Sequence, residues 1–197
     1  MSVQFHRLSQ LYTDGFDREA PELFGDYRIG DIEVFTPAAV LIAVTERAEP
    51  GVLLLHRPSN MRAHPGQIAF PGGKIDPGET PVEAALREAH EELGIRTSDV
   101  QIIGTGDVYR TGSAYEITPV LAVVPPDIDI QPNPMEVAQW FEAPLDHMLN
   151  PANHSEQWAE WEGGMRPYYE IIWQEHNTWG VTAALIVNLA RRLRWHG

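Results

Sequence analysis

GKIDPGETPVEAALREAHEELGI, residues 73 to 95, carries more structural information than any other stretch of this 197-residue chain. Thr80, Pro81 and Glu83 supply an N-cap, a first-turn proline and a capping-box partner, and Gly94 stands where a left-handed terminator belongs. These signals predict a helix over 81–93. Each residue of a helix turns by roughly 100°, so Glu88, Glu91 and Glu92 fall within an arc of about 100° on one face. Val82, Leu86, Ala89 and Leu93 form an adjoining apolar stripe, so the helix can pack on a core and still present its glutamates.

Ahead of the helix, Pro71-Gly72-Gly73 and Asp76-Pro77-Gly78 form a loop whose glycines let main-chain carbonyls turn toward a bound ion. Hard divalent cations take oxygen ligands, and a loop carbonyl with several glutamates is a sensible cage for one. Acidic residues on a helix are usually solvated surface, and EAHEE alone would be read that way. The complete pattern overrides that reading, because seven specified positions at these spacings arise by chance on the order of once per million chains of this size.

The pattern G-x5-E-x7-R-E-hydrophobic-x-E-E-x-G-hydrophobic is the Nudix box, and residues 73–95 resemble it at every fully specified position. Ala89 is a soft departure, since an Ile, Leu or Val is usual there. The resemblance implies an α/β fold of the Nudix type, with a mixed central sheet between helices and the glutamate helix at the mouth of a cleft. It also implies Mg²⁺ or Mn²⁺ held by Glu88, Glu91, Glu92 and the Gly72 carbonyl. Gly73, Glu79 and Arg87 would support the site, the last two by pairing to brace the loop against the helix.

LLLHRPSNMRAHPGQIAFPGG, residues 53–73, resembles the stretch that marks the coenzyme A diphosphatase branch of that family. TGSAYEITPV (111–120), PNPMEVAQWFEAPL (132–145) and WGVTAALIVNLA (179–190) resemble the same branch. Arg57, Arg62, His64 and Gln67 thereby become substrate-binding candidates, the arginines as phosphate contacts. Glu136 reads either as a further ligand or general base, or as an exposed strand-end carboxylate. The implied reaction splits CoA or acyl-CoA into 4′-phosphopantetheine and adenosine 3′,5′-bisphosphate. The alternative is a Nudix diphosphatase for ADP-ribose or another nucleoside diphosphate conjugate. A non-catalytic Nudix binding module would commonly lack the helix glutamates, all of which are present.

Length and composition are consistent with this reading. The chain is expected to form a single domain over 1–197, with a core over about 38–190 and an N-terminal extension over 1–37. The absence of cysteine excludes disulfides and thiolate chemistry and suits a reducing compartment. With no long apolar run, a soluble cytoplasmic protein is expected, without a membrane partner. A net charge of −14, from 14 basic against 28 acidic residues, disfavours long nucleic acids as partners. The same charge repels an anionic diphosphate unless divalent cations lie between them, which argues for metal-dependent binding.

Beyond the box helix, a helix is expected around Phe5–Tyr12 and strands over Ala38–Thr45, Val52–His56 and Gln67–Phe70. Further strands are expected over Val100–Tyr109, Tyr115–Val124, Met135–Phe141 and Tyr168–Gln174, with a closing helix over Val181–Leu193. Gly104-Thr105-Gly106 reads as a strand bend. Trp158, Trp161, Tyr168, Tyr169, Trp173 and Trp179 crowd the later part of the chain, where they can fill a core and a homodimer surface or stack on an adenine.

Overall fold

The fold is described from a computed structural model covering residues 2–30, 32–59, 66–161 and 164–196. Its centre is the apolar run TPAAVLIAVT, strand β1 (Thr36–Thr45), which lies parallel to β7 (Tyr115–Val124) over the full length of both strands, from Thr36 opposite Tyr115 to Thr45 opposite Val124. Such a pair needs a crossover, and the box helix α2 (Pro81–Leu93) lies within it. Around this pair β2 (Gly51–His56), β3 (Ile68–Ala69), β4 (Gly72–Lys74), β5 (Gln101–Thr105), β6 (Tyr109–Arg110) and β8 (Gln139–Pro144) add antiparallel. The sheet is mixed.

Alternation along β1 assigns the two faces. Ala39, Leu41 and Ala43 point into a cluster with Ala84, Ala85, Ala89 and Leu93 of α2. Ile42 and Val44 point to the opposite cluster, formed by Leu8 of α1 (Val3–Phe16) with Ala183, Ile186 and Val187 of α4 (Val181–Leu193). The sheet is thus sandwiched between helices, the arrangement that the resemblance implied. Leu8, ahead of residue 38, is fully buried.

A second sheet of three antiparallel strands, β9 (Ser155–Trp161), β10 (Gly164–Trp173) and β11 (His176–Trp179), follows the short helix α3 (Leu145–Leu149). His176 joins it to the main sheet, with Nδ1 lying 2.9 Å from Nε2 of His56 and its ring stacked on Phe141 at 3.7 Å. Irregular chain after α1 crosses the same end of the molecule. There the Asn188 amide donates to the carbonyl and accepts from the N–H of Phe24, at 2.9 and 2.8 Å.

Several sequence expectations need correction. The strand expected over Val100–Tyr109 is two, β5 and β6, because the register slips between Ile102 and Gly104 and the chain leaves the ladder after Thr105. The Tyr12 ring occupies the space a side chain at Gly104 would need. The strand expected over Met135–Phe141 begins only at Gln139, because Asn133 holds residues 133–136 in a turn by accepting from the N–H groups of Met135 and Glu136. β3 is shorter than Gln67–Phe70, Gly72–Lys74 is strand β4 where a loop was expected, the strand expected over Tyr168–Gln174 spans Gly164–Trp173, and β9, β11 and α3 were not anticipated. On α2 the residue that meets the sheet is Ala85, while Leu86 is only half-buried. Among the described residues, no helix is long and apolar enough to cross a membrane.

Arg192, 6% exposed, carries α4 onto the loop between β5 and β6, where its Nε donates to Asp107 at 2.8 Å and its guanidinium covers the Phe16 ring. Asp107→Ala would leave that guanidinium buried without its counter-ion. A loss of about 3–5 kcal/mol in unfolding free energy is expected in urea titration.

Candidate active site

The site starts from the close approach of α2 to β1. Alanines at 85 and 89 let the helix sit low on the sheet, and the next position along that line is Glu92, a carboxylate only 3% exposed. The Thr80 capping box fixes the start of the helix, and Gly94, at φ 70°, closes it. β4 pairs with β1, setting Gly72 opposite Val40, and the Gly72 N–H donates to Glu92 Oε2 at 2.9 Å. A Cβ at Gly73 would lie 2.6 Å from the Glu88 carboxyl carbon, so a side chain there would displace that carboxylate.

Glu136 arrives from a different part of the chain. The loop before β8 docks on the end of α2, where the Gln131 and Asn133 N–H groups donate to the carbonyls of Leu93 and Glu92, both at 2.8 Å. These are carbonyls the helix itself leaves unpaired. The turn at Asn133 then swings Glu136 inward, and the Asn133 amide donates to Glu136 Oε1 at 3.1 Å. One oxygen each from Glu88, Glu92 and Glu136 lies within 4.8 Å of the others. Glu136 therefore sits half-buried in a turn, not at an exposed strand end.

Glu91 stands outside this trio. Its side chain is 48% exposed, and it accepts from Arg87 at 3.3 Å. Arg87 forks onto Glu79 with Nε and Nη2 at 2.8 and 3.1 Å, donates from Nη2 to the Lys74 carbonyl, and reaches Glu88 with Nη1 at 2.8 Å. It ties the loop, the helix and one carboxylate of the trio together.

Burial pushes the Glu92 carboxyl up to about 8, helped by the neighbouring Glu88 charge and only partly opposed by the Gly72 N–H. The Glu88 carboxyl is also raised, chiefly by burial, with Arg87 pulling the other way. Three convergent carboxylates, with oxygen the sole donor type, match the chemistry of a hard divalent cation such as Mg²⁺ or Mn²⁺. The charge of such an ion would also offset the cost of burial that raises these groups.

A cavity of about 330 Å³ opens over Glu88, Glu92 and Glu136. Arg57 and Gln67 line it from the upstream segment, and Phe70, Ile117 and Leu185 give it an apolar wall. Arg57 Nε is buried and has no hydrogen-bond partner among the described residues. Arg62 and His64 lie outside the described residues. Lys74, Thr111, Ser113 and Thr182 also line the cavity and were not singled out from the sequence. Thr111 and Ser113 fall within TGSAYEITPV, so the segment carried the signal although the individual hydroxyls did not.

Residues 35–162 match the NUDIX domain family. The chain is 39% identical over 157 residues to the uncharacterized Nudix hydrolase NudL of Enterobacter sp. (strain 638), a match spanning 79% of this chain and 82% of that protein. The NudL protein of Yersinia enterocolitica (serotype O:8 / biotype 1B) is 40% identical over 159 residues, spanning 79% and 80% of the two chains. Among solved structures, the Nudix hydrolase RenU of M. smegmatis superposes with a TM-score of 0.50 at 27% identity, covering 57% of this chain and 72% of RenU.

The raised Glu92 carboxyl makes stability depend on pH. Folded protein holds a proton there that the unfolded chain releases near its ordinary value of 4.5, so this contribution is full below about 4.5 and is lost as pH rises through about 8. Burial lowers His56 and His154 from 6.5, which opposes the trend at the acid end. The comparison is therefore between wild type and Glu92→Gln, both metal-free. From pH 5 to 8 the wild type is expected to lose melting temperature relative to the variant, and parallel curves would contradict the assignment.

Proposed function

This chain belongs to the Nudix hydrolase family, and from that premise we propose that it hydrolyses the diphosphate linkage of coenzyme A or an acyl-CoA. The products would be 4′-phosphopantetheine and adenosine 3′,5′-bisphosphate. At the coarser level it is a hydrolase of small nucleoside diphosphate derivatives. The observation that carries the finer reading is the sharing of one cavity by the carboxylate trio and by Arg57 and Gln67, which come from the segment resembling the CoA branch.

In this reading Glu88, Glu92 and Glu136, with the Gly72 carbonyl, hold Mg²⁺ or Mn²⁺, and Glu91 adds charge at the rim. The bound ion supplies positive charge to the diphosphate and acidifies a water molecule. The protein's own groups do the rest. Arg57, whose Nε–H has no acceptor among the described residues, donates to a phosphate oxygen, a charge-assisted bond of about 1.5–3 kcal/mol. Gln67 orients the same portion of the substrate from the cavity wall. Among the described residues Glu136 accepts one hydrogen bond, from Asn133, so its carboxylate keeps lone pairs both for the ion and for a proton from the attacking water. The Arg87 to Glu79 fork keeps the glycine loop under the diphosphate without touching it.

Hydrolysis should vanish in EDTA and return with Mg²⁺ or Mn²⁺. Glu92→Gln should lower kcat by at least about a hundredfold. His90→Gln, at an exposed position on α2 away from the trio, should leave it nearly unchanged. Product identification across CoA, 3′-dephospho-CoA and ADP-ribose tests the substrate. Preference for CoA in kcat/KM supports the proposal, and preference for ADP-ribose would replace it with the broader diphosphatase reading.

A further inference from the structure

A second cleft adjoins the first, with Val181 lining both. Its wall comes from β10, where Arg166 and Tyr168 share one face by the two-residue period of a strand. Trp161 pairs opposite Gly164 and Trp179 opposite Glu170, so both rings fall on that face. The aromatic rings form a row, with Trp161 to Tyr168 at 5.7 Å and Tyr168 to Trp179 at 6.2 Å, both edge-on. Arg28 closes the end of the row over Trp161 at 5.3 Å, and its own charge is taken by Asp26.

Arg166 is different. Its Nε is buried with no hydrogen-bond partner among the described residues, a condition it shares with Arg57. Several other arginines are held in ion pairs, such as Arg47 with Glu142, Arg96 with Asp99 and Arg110 with Glu116. In a chain of net charge −14, the two arginines with a buried Nε–H that lacks an acceptor among the described residues line two adjoining cavities, and Arg166 also lines a further cleft beside Arg191. A buried donor without an acceptor is costly, and an anionic oxygen relieves that cost. Between the cavities lies the start of α4, whose N-cap Gly180 offers no side-chain bond to the first-turn N–H groups, leaving a positive helix end at the junction.

We infer that Arg166 receives a phosphate monoester carried on the ribose of the substrate, while the diphosphate occupies the cavity of Arg57 and the carboxylate trio. This rests on the CoA reading, in which one molecule bears both anionic groups. The second cleft holds about 50 Å³, room for a phosphate but not for a purine as well. The base would therefore lie at the mouth, against Tyr27 and Trp179, which are 56% and 40% exposed. Arg166 thus sets specificity, and Arg57 binds the group common to all nucleoside diphosphate substrates.

The test measures kcat and KM for CoA and 3′-dephospho-CoA with wild type, Arg166→Gln and Arg166→Lys at saturating Mn²⁺. Wild type is expected to favour CoA by roughly ten- to a hundredfold in kcat/KM, expressed in KM. Arg166→Gln should bring that ratio near one by raising KM for CoA alone, and Arg166→Lys should recover part of it. Unchanged turnover of 3′-dephospho-CoA shows that the variant is folded. A CoA preference that survives in Arg166→Gln overturns the inference and leaves the CoA reading standing, as does an equal loss for both substrates. A wild type that hydrolyses ADP-ribose but neither CoA compound removes the reading itself, and the inference with it.

Discussion

Holding one oxygen from each of three carboxylates within 4.8 Å, one of them almost wholly buried, is the constraint on which the rest of this structure depends. Burial raises the Glu92 carboxyl to about 8, and the neighbouring Glu88 and Glu136 charges push in the same direction. Every local oddity around the site serves this convergence. Ala85 and Ala89 bring the helix down, Gly73 leaves space for Glu88, Gly72 presents an N–H to Glu92, and the Asn133 turn delivers Glu136. A larger side chain at either glycine would collide with Glu88 or with β1.

The parts legible in the sequence were those written in local chemistry. Helix α2 was placed to the residue because Thr80, Pro81 and Gly94 each act within one turn, and α4 because its apolar period is unbroken. The long central strands announced themselves as apolar runs buried on both faces. What could not be read was set by distance of approach. Leu86 looked like core by hydrophobicity, yet the contact with the sheet is so close that alanines occupy it. Glu136 was recognised as a candidate, but its inward turn depends on a side-chain to backbone bond at Asn133 and on carbonyls of a helix some forty residues earlier.

The first strand of the second sheet escaped notice because β9, SEQWAEW, mixes two glutamates with aromatic and small residues and buries none of them fully. The strands of that sheet resemble exposed surface until folded, when Arg166 and its flanking rings line a cleft beside the first. The late aromatic cluster thus divides its work. Tyr169 is buried in the core, and Trp161, Tyr168 and Trp179 face a cavity. The acidic balance of the chain makes the placement of its few unpaired arginines informative, since a phosphate substrate is otherwise repelled.

The central claim is that Glu88, Glu92 and Glu136 act jointly as one divalent-cation site. Calorimetric titration of metal-free protein with Mn²⁺ tests it most directly, comparing wild type with Glu92→Gln, Glu136→Gln and His90→Gln. The account predicts saturable binding in wild type and His90→Gln, weakened by at least about tenfold in each glutamate variant. Mn²⁺ binding that is as tight in Glu136→Gln as in wild type, or a wild type that takes up no Mn²⁺, would contradict it.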